Sequence, residues 1–237
     1  MTDKSYTHII MILDRSGSMQ RRTDDVIREV NRFIEDQRKL PGTCTLSMIT
    51  FDDTYEYTRN FANIKDTRLI DKKDYVPRGT TALYKTIVDV TRIEGAALSR
   101  MREESRPGKV IVCIFSDGEE NSSNARSNHS TGWDSNFTKY YGVPATNVIA
   151  VNVPYTASLV REEVERQINH YNWAFLYFGT DQDTMLNAKS MGIPASTTVS
   201  YANTSEGLST AYGTLNCAVT SCRVDPSSAI STSQVPL

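Results

Sequence analysis

No apolar run in the 237-residue chain approaches the roughly 20 residues needed to cross a bilayer, so no membrane span is predicted. The opening, MTDKSYTH, lacks the basic-then-apolar layout of a secretion leader, and a cytoplasmic protein is expected. Cysteine is scarce and badly spaced for chemistry. Cys44 and Cys113 sit in strand-like runs, while Cys217 and Cys222 are not at a zinc-knuckle spacing and have no histidine near them. Neither a zinc knuckle nor a disulfide framework is expected. The histidines, His8, His129 and His170, form no ligand spacing. There is no G-x-G-x-x-G, no G-x-x-x-x-G-K-[ST] and no G-x-S-x-G, which removes the common dinucleotide, nucleotide and serine-hydrolase signatures. The net charge of −2 gives no bulk reason to expect nucleic acid or an anionic membrane as partner.

What remains is a globular composition, 39% hydrophobic and 23% charged, long enough for one sizeable α/β domain. Apolar runs at 7–13, 43–51, 109–117 and 173–180 read as strands, with a last short one at 197–201. Helical periodicity marks 23–39, a segment after Gly79, 158–170, 181–191 and 204–222. Thr23 is the expected cap of the first helix; Asp181 and Asp183, expected at the same sheet edge as the loops below, either support a site there or cap the fourth helix, the reading favoured here. YEYTRNF (55–61) follows 43–51 after Asp52-Asp53-Thr54, which predicts an antiparallel hairpin. Strands separated by helices predict a doubly wound, mostly parallel sheet with one antiparallel edge strand and helices on both faces. Residues 1–225 form one domain on this reading, with an insertion at about 121–157 and a flexible Ser/Pro-rich tail at 226–237.

Three loops carry the chemistry. Strand 9–13 ends in Asp14-Arg15-Ser16-Gly17-Ser18. The second helix is preceded by Arg78-Gly79-Thr80-Thr81-Ala82-Leu83-Tyr84, and strand 109–115 runs into Ser116-Asp117-Gly118-Glu119. In an open sheet these lie at the carboxyl edge, where ligands bind. Two carboxylates and at least three hydroxyls suit Mg²⁺, Mn²⁺ or Ca²⁺, and leave coordination positions for an outside ligand. The plain alternative is that Ser16, Ser18 and Thr80 or Thr81 cap helices and Asp117 closes a turn.

The D-x-S-x-S loop, the G-T-T-A-L-Y helix start and the terminal S-D-G-E resemble the metal-ion-dependent adhesion site of the von Willebrand factor A family. The later stretches WAFLYFGTDQDTMLNAKSMGI and VSYANTSEGLSTAYGTLNCAVTSCR resemble its bacterial and phage members, so the likeness covers roughly residues 5–223. The resemblance implies that Asp14, Ser16, Ser18, Thr81 and Asp117 hold the metal, with Thr80 as the fallback for Thr81. It also implies that a partner protein completes the coordination with an Asp or Glu. Bacterial relatives work beside ATPases or in assemblies, so such a component is the expected partner class.

Around this site, Arg15, Arg21 and Arg22 either steer an acidic partner or are simply solvated. The insertion interleaves Trp133, Phe137, Tyr140 and Tyr141 with polar residues. Either it sets partner choice, with Trp133, Tyr140 and Tyr141 as contacts, or VIAVNV forms a strand and the remainder is ornament. Two other functions stay open. One is a structural subunit of a larger assembly whose metal only stabilises the fold. The other is a Mg²⁺-dependent phosphoryl hydrolase, disfavoured because Ser16 stands where such enzymes carry a second, acid/base aspartate.

Overall fold

The computed structural model describes residues 2–117, 120–124, 154–180, 183–225 and 230–232. Trp133, Phe137, Tyr140, Tyr141, His129, Asp181 and the VIAVNV run fall outside the described residues, as does most of the segment from 226 onward.

The strands are β1 (Asp3–Asp14), β2 (Thr43–Phe51), β3 (Tyr55–Asn63), β4 (Pro107–Ser116), β5 (Ala174–Gly179) and β6 (Thr198–Ser200). The helices are α1 (Thr23–Arg38), α2 (Leu83–Arg100), α3 (Ala157–Tyr171), α4 (Thr184–Ser190) and α5 (Ser205–Val224). The strands form one sheet in the order β3-β2-β1-β4-β5-β6. Every pairing is parallel except β2 with β3, which is the antiparallel hairpin expected from the Asp52-Asp53-Thr54 turn.

Side chains alternate across a strand, so a strand apolar at every position must be covered on both faces. β1 shows this directly. Ile9, Met11 and Leu13 join the cluster under α1 and α5, with Val30, Phe33, Leu215 and Val219. Ile10 and Ile12 join the opposite cluster under α2 and α3, with Ile87, Val90, Val160 and Val164. Truncating a fully buried member such as Ile12 to alanine would cost about 2–5 kcal/mol. α3 stops where Asn172 takes a left-handed conformation (φ 54°) and returns its N–H to the Gln167 carbonyl.

β1 and β4 occupy the centre. β1 turns to β2 on one side and to β4 on the other, so the strand order reverses between them. Asp14 ends the first of these strands, and Asp117 directly follows the second. Both aspartates therefore stand at the switch point, where such sheets bind ligands.

Two expected caps are not made. Thr23 is already inside α1, and its hydroxyl donates back to the Gln20 carbonyl at 2.9 Å. Asp183 precedes α4 but its side chain makes no capping hydrogen bond.

Candidate metal centre

The β1 strand delivers Asp14 to the sheet edge with 1% of its surface exposed. Its Oδ1 accepts the Ser16 N–H at 2.7 Å and its Oδ2 accepts the Ser116 hydroxyl at 2.7 Å. The carboxylate thus folds its own loop back over itself. The Ser16 hydroxyl lies 3.0 Å from that of Ser18, and Ser18 Oγ donates to Asp117 Oδ1 at 2.7 Å. Asp14, Ser16, Ser18 and Asp117 are therefore joined in one hydrogen-bonded series, through the Ser16 N–H at its first link and through hydroxyls at the others.

This geometry bears on the capping alternative. Ser16 precedes the short 3₁₀ turn Gly17–Arg22, yet its side chain makes no cap hydrogen bond. α2 likewise starts without a side-chain cap from its own N-cap position, Ala82. The hydroxyls face one another and the aspartates rather than helix ends.

Thr81 joins through its backbone. Its N–H donates to Asn121 Oδ1 at 2.9 Å, and its carbonyl accepts the N–H groups of Asn121 and Ser122, each at 3.1 Å. The neighbouring Gly79 carbonyl accepts the Gly17 N–H at 3.2 Å. Gly79 is left-handed (φ 65°), and a Cβ there would stand 2.8 Å from Asp53 Oδ1, so this crossing of two loops needs glycine. Thr81 is buried and Thr80 is exposed.

Burial pushes the Asp14 carboxyl up to about 6, against the Ser116 and Ser16 hydrogen bonds that favour its charged form, and the Asp117 charge adds to the rise. Burial also raises Asp117, opposed by hydrogen bonds from Ser18 and Asn203. Among the described residues, no cation is paired with either carboxylate. The adjacent Arg15 does not supply one, because its guanidinium points the other way. Its Nε donates to Asp52 Oδ2 at 3.0 Å and its Nη1 to Glu56 Oε2 at 2.9 Å. Arg15 is 3% exposed, so the expectation that it meets a partner at the surface is replaced by an internal role. Arg22 is also engaged, donating to the Asn203 carbonyl at 2.8 Å and to Ser205 Oγ at 3.2 Å, while Arg21 is exposed.

Among the described residues, no three His, Cys, Asp or Glu side chains gather into a metal-binding group. A metal here has to rely on hydroxyl oxygens beside two carboxylates. That set fits a hard divalent ion: oxygen donors only, two under-compensated negative charges, and Ser18 and Asp117 on the open side.

Several supporting residues gave no sequence signal. Tyr75, fully buried, donates its hydroxyl to the Asp14 carbonyl at 2.5 Å. Arg78 repeats the Arg15 pattern, reaching Asp52 Oδ2 at 2.8 Å and Glu56 Oε1 at 3.0 Å. Glu120 accepts the Tyr84 N–H at 2.8 Å and Ser123 Oγ accepts that of Lys85 at 2.9 Å, so the segment after Asp117 caps α2 from outside. Thr180 donates to the Asp117 carbonyl at 3.1 Å.

No family model and no curated protein matches the chain. Solved structures do. The D319A mutant of the PilB minor pilin from Streptococcus sanguinis superposes with a TM-score of 0.59 at 12% identity, over 94% of this chain and 64% of that one. The vWF domain of the type V pili tip protein Mfa5 from Porphyromonas gingivalis gives 0.54 at 11% identity, over 89% of this chain and 95% of the domain. Proximal thread matrix protein 1 from the mussel byssus, with a zinc-occupied MIDAS motif, gives 0.54 at 14% identity, over 92% of this chain and 48% of that one. The chain thus spans less than two thirds of the pilin and about half of the byssus protein. The sheet order, the antiparallel edge and these superpositions together show the von Willebrand factor A fold.

Proposed function

We propose that the chain is a metal-dependent protein-binding module. Asp14, Ser16, Ser18, Thr81 and Asp117 hold a divalent ion, Mg²⁺ in the cell, and the ion engages an Asp or Glu of a partner protein. The supporting observation is the hydrogen-bonded series from Asp14 through the Ser16 N–H and the Ser16 and Ser18 hydroxyls to Asp117, with both carboxylates raised by burial. When bound, the ion supplies Lewis acidity toward a carboxylate. The chain's own residues do the remainder. Asp14 and Ser116 anchor the first loop from behind, Ser18 and Asp117 face outward, and the Arg15–Asp52–Arg78–Glu56 set fixes the loop from below.

The von Willebrand factor A fold, seen in the byssus protein with zinc in its MIDAS motif, supports the metal reading. The partner class is an ATPase or assembly component in the cytoplasm. No helix among the described residues is long and apolar enough to cross a membrane. The reading has no catalytic step. Ser16 occupies the place where a phosphohydrolase would need its second carboxylate, and its hydroxyl is already engaged with Ser18.

The test is capture of partners by tagged protein in Mg²⁺, in EDTA, and with a folded Asp14→Ala variant. A protein held only by the wild type in Mg²⁺ supports metal-bridged binding. Equal retention in all three makes the chain a structural subunit. Turnover of a phosphate ester that Asp14→Ala abolishes makes it a hydrolase.

A further inference from the structure

A cavity lies at the opposite end of the sheet from Asp14. It opens between the C-terminal halves of α2 and α3, beside the start of β4 and the residue before β5, and holds about 750 Å³. That volume is typical of small-molecule sites. Small residues create it. Gly95 and Ala96 face it from α2, and a Cβ on Gly95 would already stand 3.3 Å from Gln167 Nε2.

Three features of the wall specify an occupant. Gln167 lines the cavity from α3, and its side-chain amide stands at the wall beside Gly95. An amide N–H at the cavity wall donates to a ligand oxygen that enters the space. Arg92, Arg106 and Arg166 line the same space, and among the described residues no aspartate or glutamate does. Behind the wall, Glu163 takes Arg92 at 2.6 Å and Arg166 at 2.6 Å, so one carboxylate offsets two guanidiniums. Arg106 is held by the Ser99 and Met101 carbonyls, which fix it without neutralising it. The balance is positive. Trp173, Leu98 and Val110 supply an apolar surface next to these charges.

We infer that this cavity is a binding site for a small anion with an apolar body, and that it works independently of the metal. The anionic group meets Arg166, Arg106 and the Gln167 amide, and the apolar body lies against Trp173.

The probe is anilinonaphthalene sulfonate, compared with phenylnaphthylamine, which has the same rings without the charge. The chain has two tryptophans, so a Trp133→Phe background leaves Trp173 as the sole reporter. The sulfonate is expected to quench Trp173 saturably at micromolar concentration, equally in Mg²⁺ and in EDTA. The uncharged dye should bind at least about tenfold more weakly, as loss of charge-assisted hydrogen bonds implies. Gln167→Leu should weaken the sulfonate by about tenfold, and Ala96→Phe should abolish its binding by filling the space. Folding of each variant is checked by far-UV circular dichroism. If Ala96→Phe does not fold, Arg166→Gln at a 44% exposed side chain gives the same reading, with about tenfold weaker binding expected. Equal affinity for both dyes, wild-type affinity in these variants, or no saturable quenching up to about 1 mM would each overturn the assignment.

Discussion

Ser18 Oγ lies 2.7 Å from Asp117 Oδ1, although 99 positions of chain separate them. That bond joins the β1 loop to the β4 loop across the sheet's switch point, with Asp14 beneath. The two carboxylates are raised by burial, and on the proposed function a divalent ion would relieve them. Mg²⁺ or Mn²⁺ should therefore raise the melting temperature of the wild type, by mass action on the folded state. Asp14→Asn keeps the shape but removes a buried charge. It should be no less stable than the wild type in EDTA and should gain nothing from metal. Thermal unfolding of both proteins, with and without Mn²⁺, checks this. A metal shift surviving in Asp14→Asn would remove Asp14 from the ligand set.

The Arg15 clamp is a stability device. Arg15 and Asp52 are 3% and 0% exposed, and Arg78 and Glu56 extend the pair toward solvent. Three backbone bonds run alongside: Arg15 N–H to Phe51, Arg78 N–H to Arg15, and Ala82 N–H to Asp52. Arg15→Ala would leave a buried carboxylate with one partner fewer, a loss of about 3 kcal/mol in urea unfolding. Arg15→Lys keeps the charge but not the fork to two carboxylates, and should recover only part of the loss.

The fold was readable because its signals are local. The unbroken apolar run Ile9–Leu13 fits a central strand, and Asp52-Asp53-Thr54 fits a tight turn, and both are found as such. The oxygen-bearing loops were readable because they follow those strands. Arg15 was misjudged because charged residues beside a loop are usually solvated, and only the tertiary arrangement places Asp52 and Glu56 under it. The α2 cap was missed for the same reason. Sequence rules look for a cap within a few residues of the helix, whereas Glu120 is 36 positions from Tyr84.

That remote cap couples two of the metal loops. Glu120 serves Tyr84, Ser122 and Ser123, and Asn121 serves Thr81. Glu120→Ala should lose about 1–2 kcal/mol, as for other helix caps. It should also speed hydrogen exchange at the Tyr84 amide and weaken Mn²⁺ binding through the loosened Thr81 loop. Loss of stability with unchanged metal affinity would show that the cap and the site are independent.

Acid should open the clamp. Glu56 is held below its ordinary 4.5, first by its hydrogen bond from Arg15 and then by the Arg15 and Arg78 charges, partly opposed by burial. Burial pushes Asp52 up from 3.8, but the Thr54 N–H and the two guanidiniums outweigh it and the net shift is downward. A carboxylate with a depressed folded value contributes stability that is complete above its unfolded value and is lost as pH falls through the folded one. The clamp therefore contributes fully above about pH 5 and fails progressively below about pH 4, the range set by those ordinary values. The double variant Arg15→Ala with Arg78→Ala should show a flatter loss of stability between these pH values than the wild type. Parallel curves would mean that other carboxylates carry the acid sensitivity.

Thr80 and Thr81 are adjacent, and either hydroxyl satisfies the sequence pattern. They differ in their surroundings. Thr80 is exposed, whereas Thr81 is buried with both backbone groups tied to 121–122, in the segment that follows Asp117. A ligand must be held in place by its surroundings, and only Thr81 is. Thr81→Ala should reduce Mn²⁺ affinity by about 10–100-fold, the usual cost of disturbing a metal's ligand shell, while Thr80→Ala should leave it within about twofold. Calorimetric titration of the two variants measures the difference. Thr81→Val is the companion control, since it keeps the volume and removes only the oxygen. The reverse ranking would move the second metal loop one residue toward Gly79.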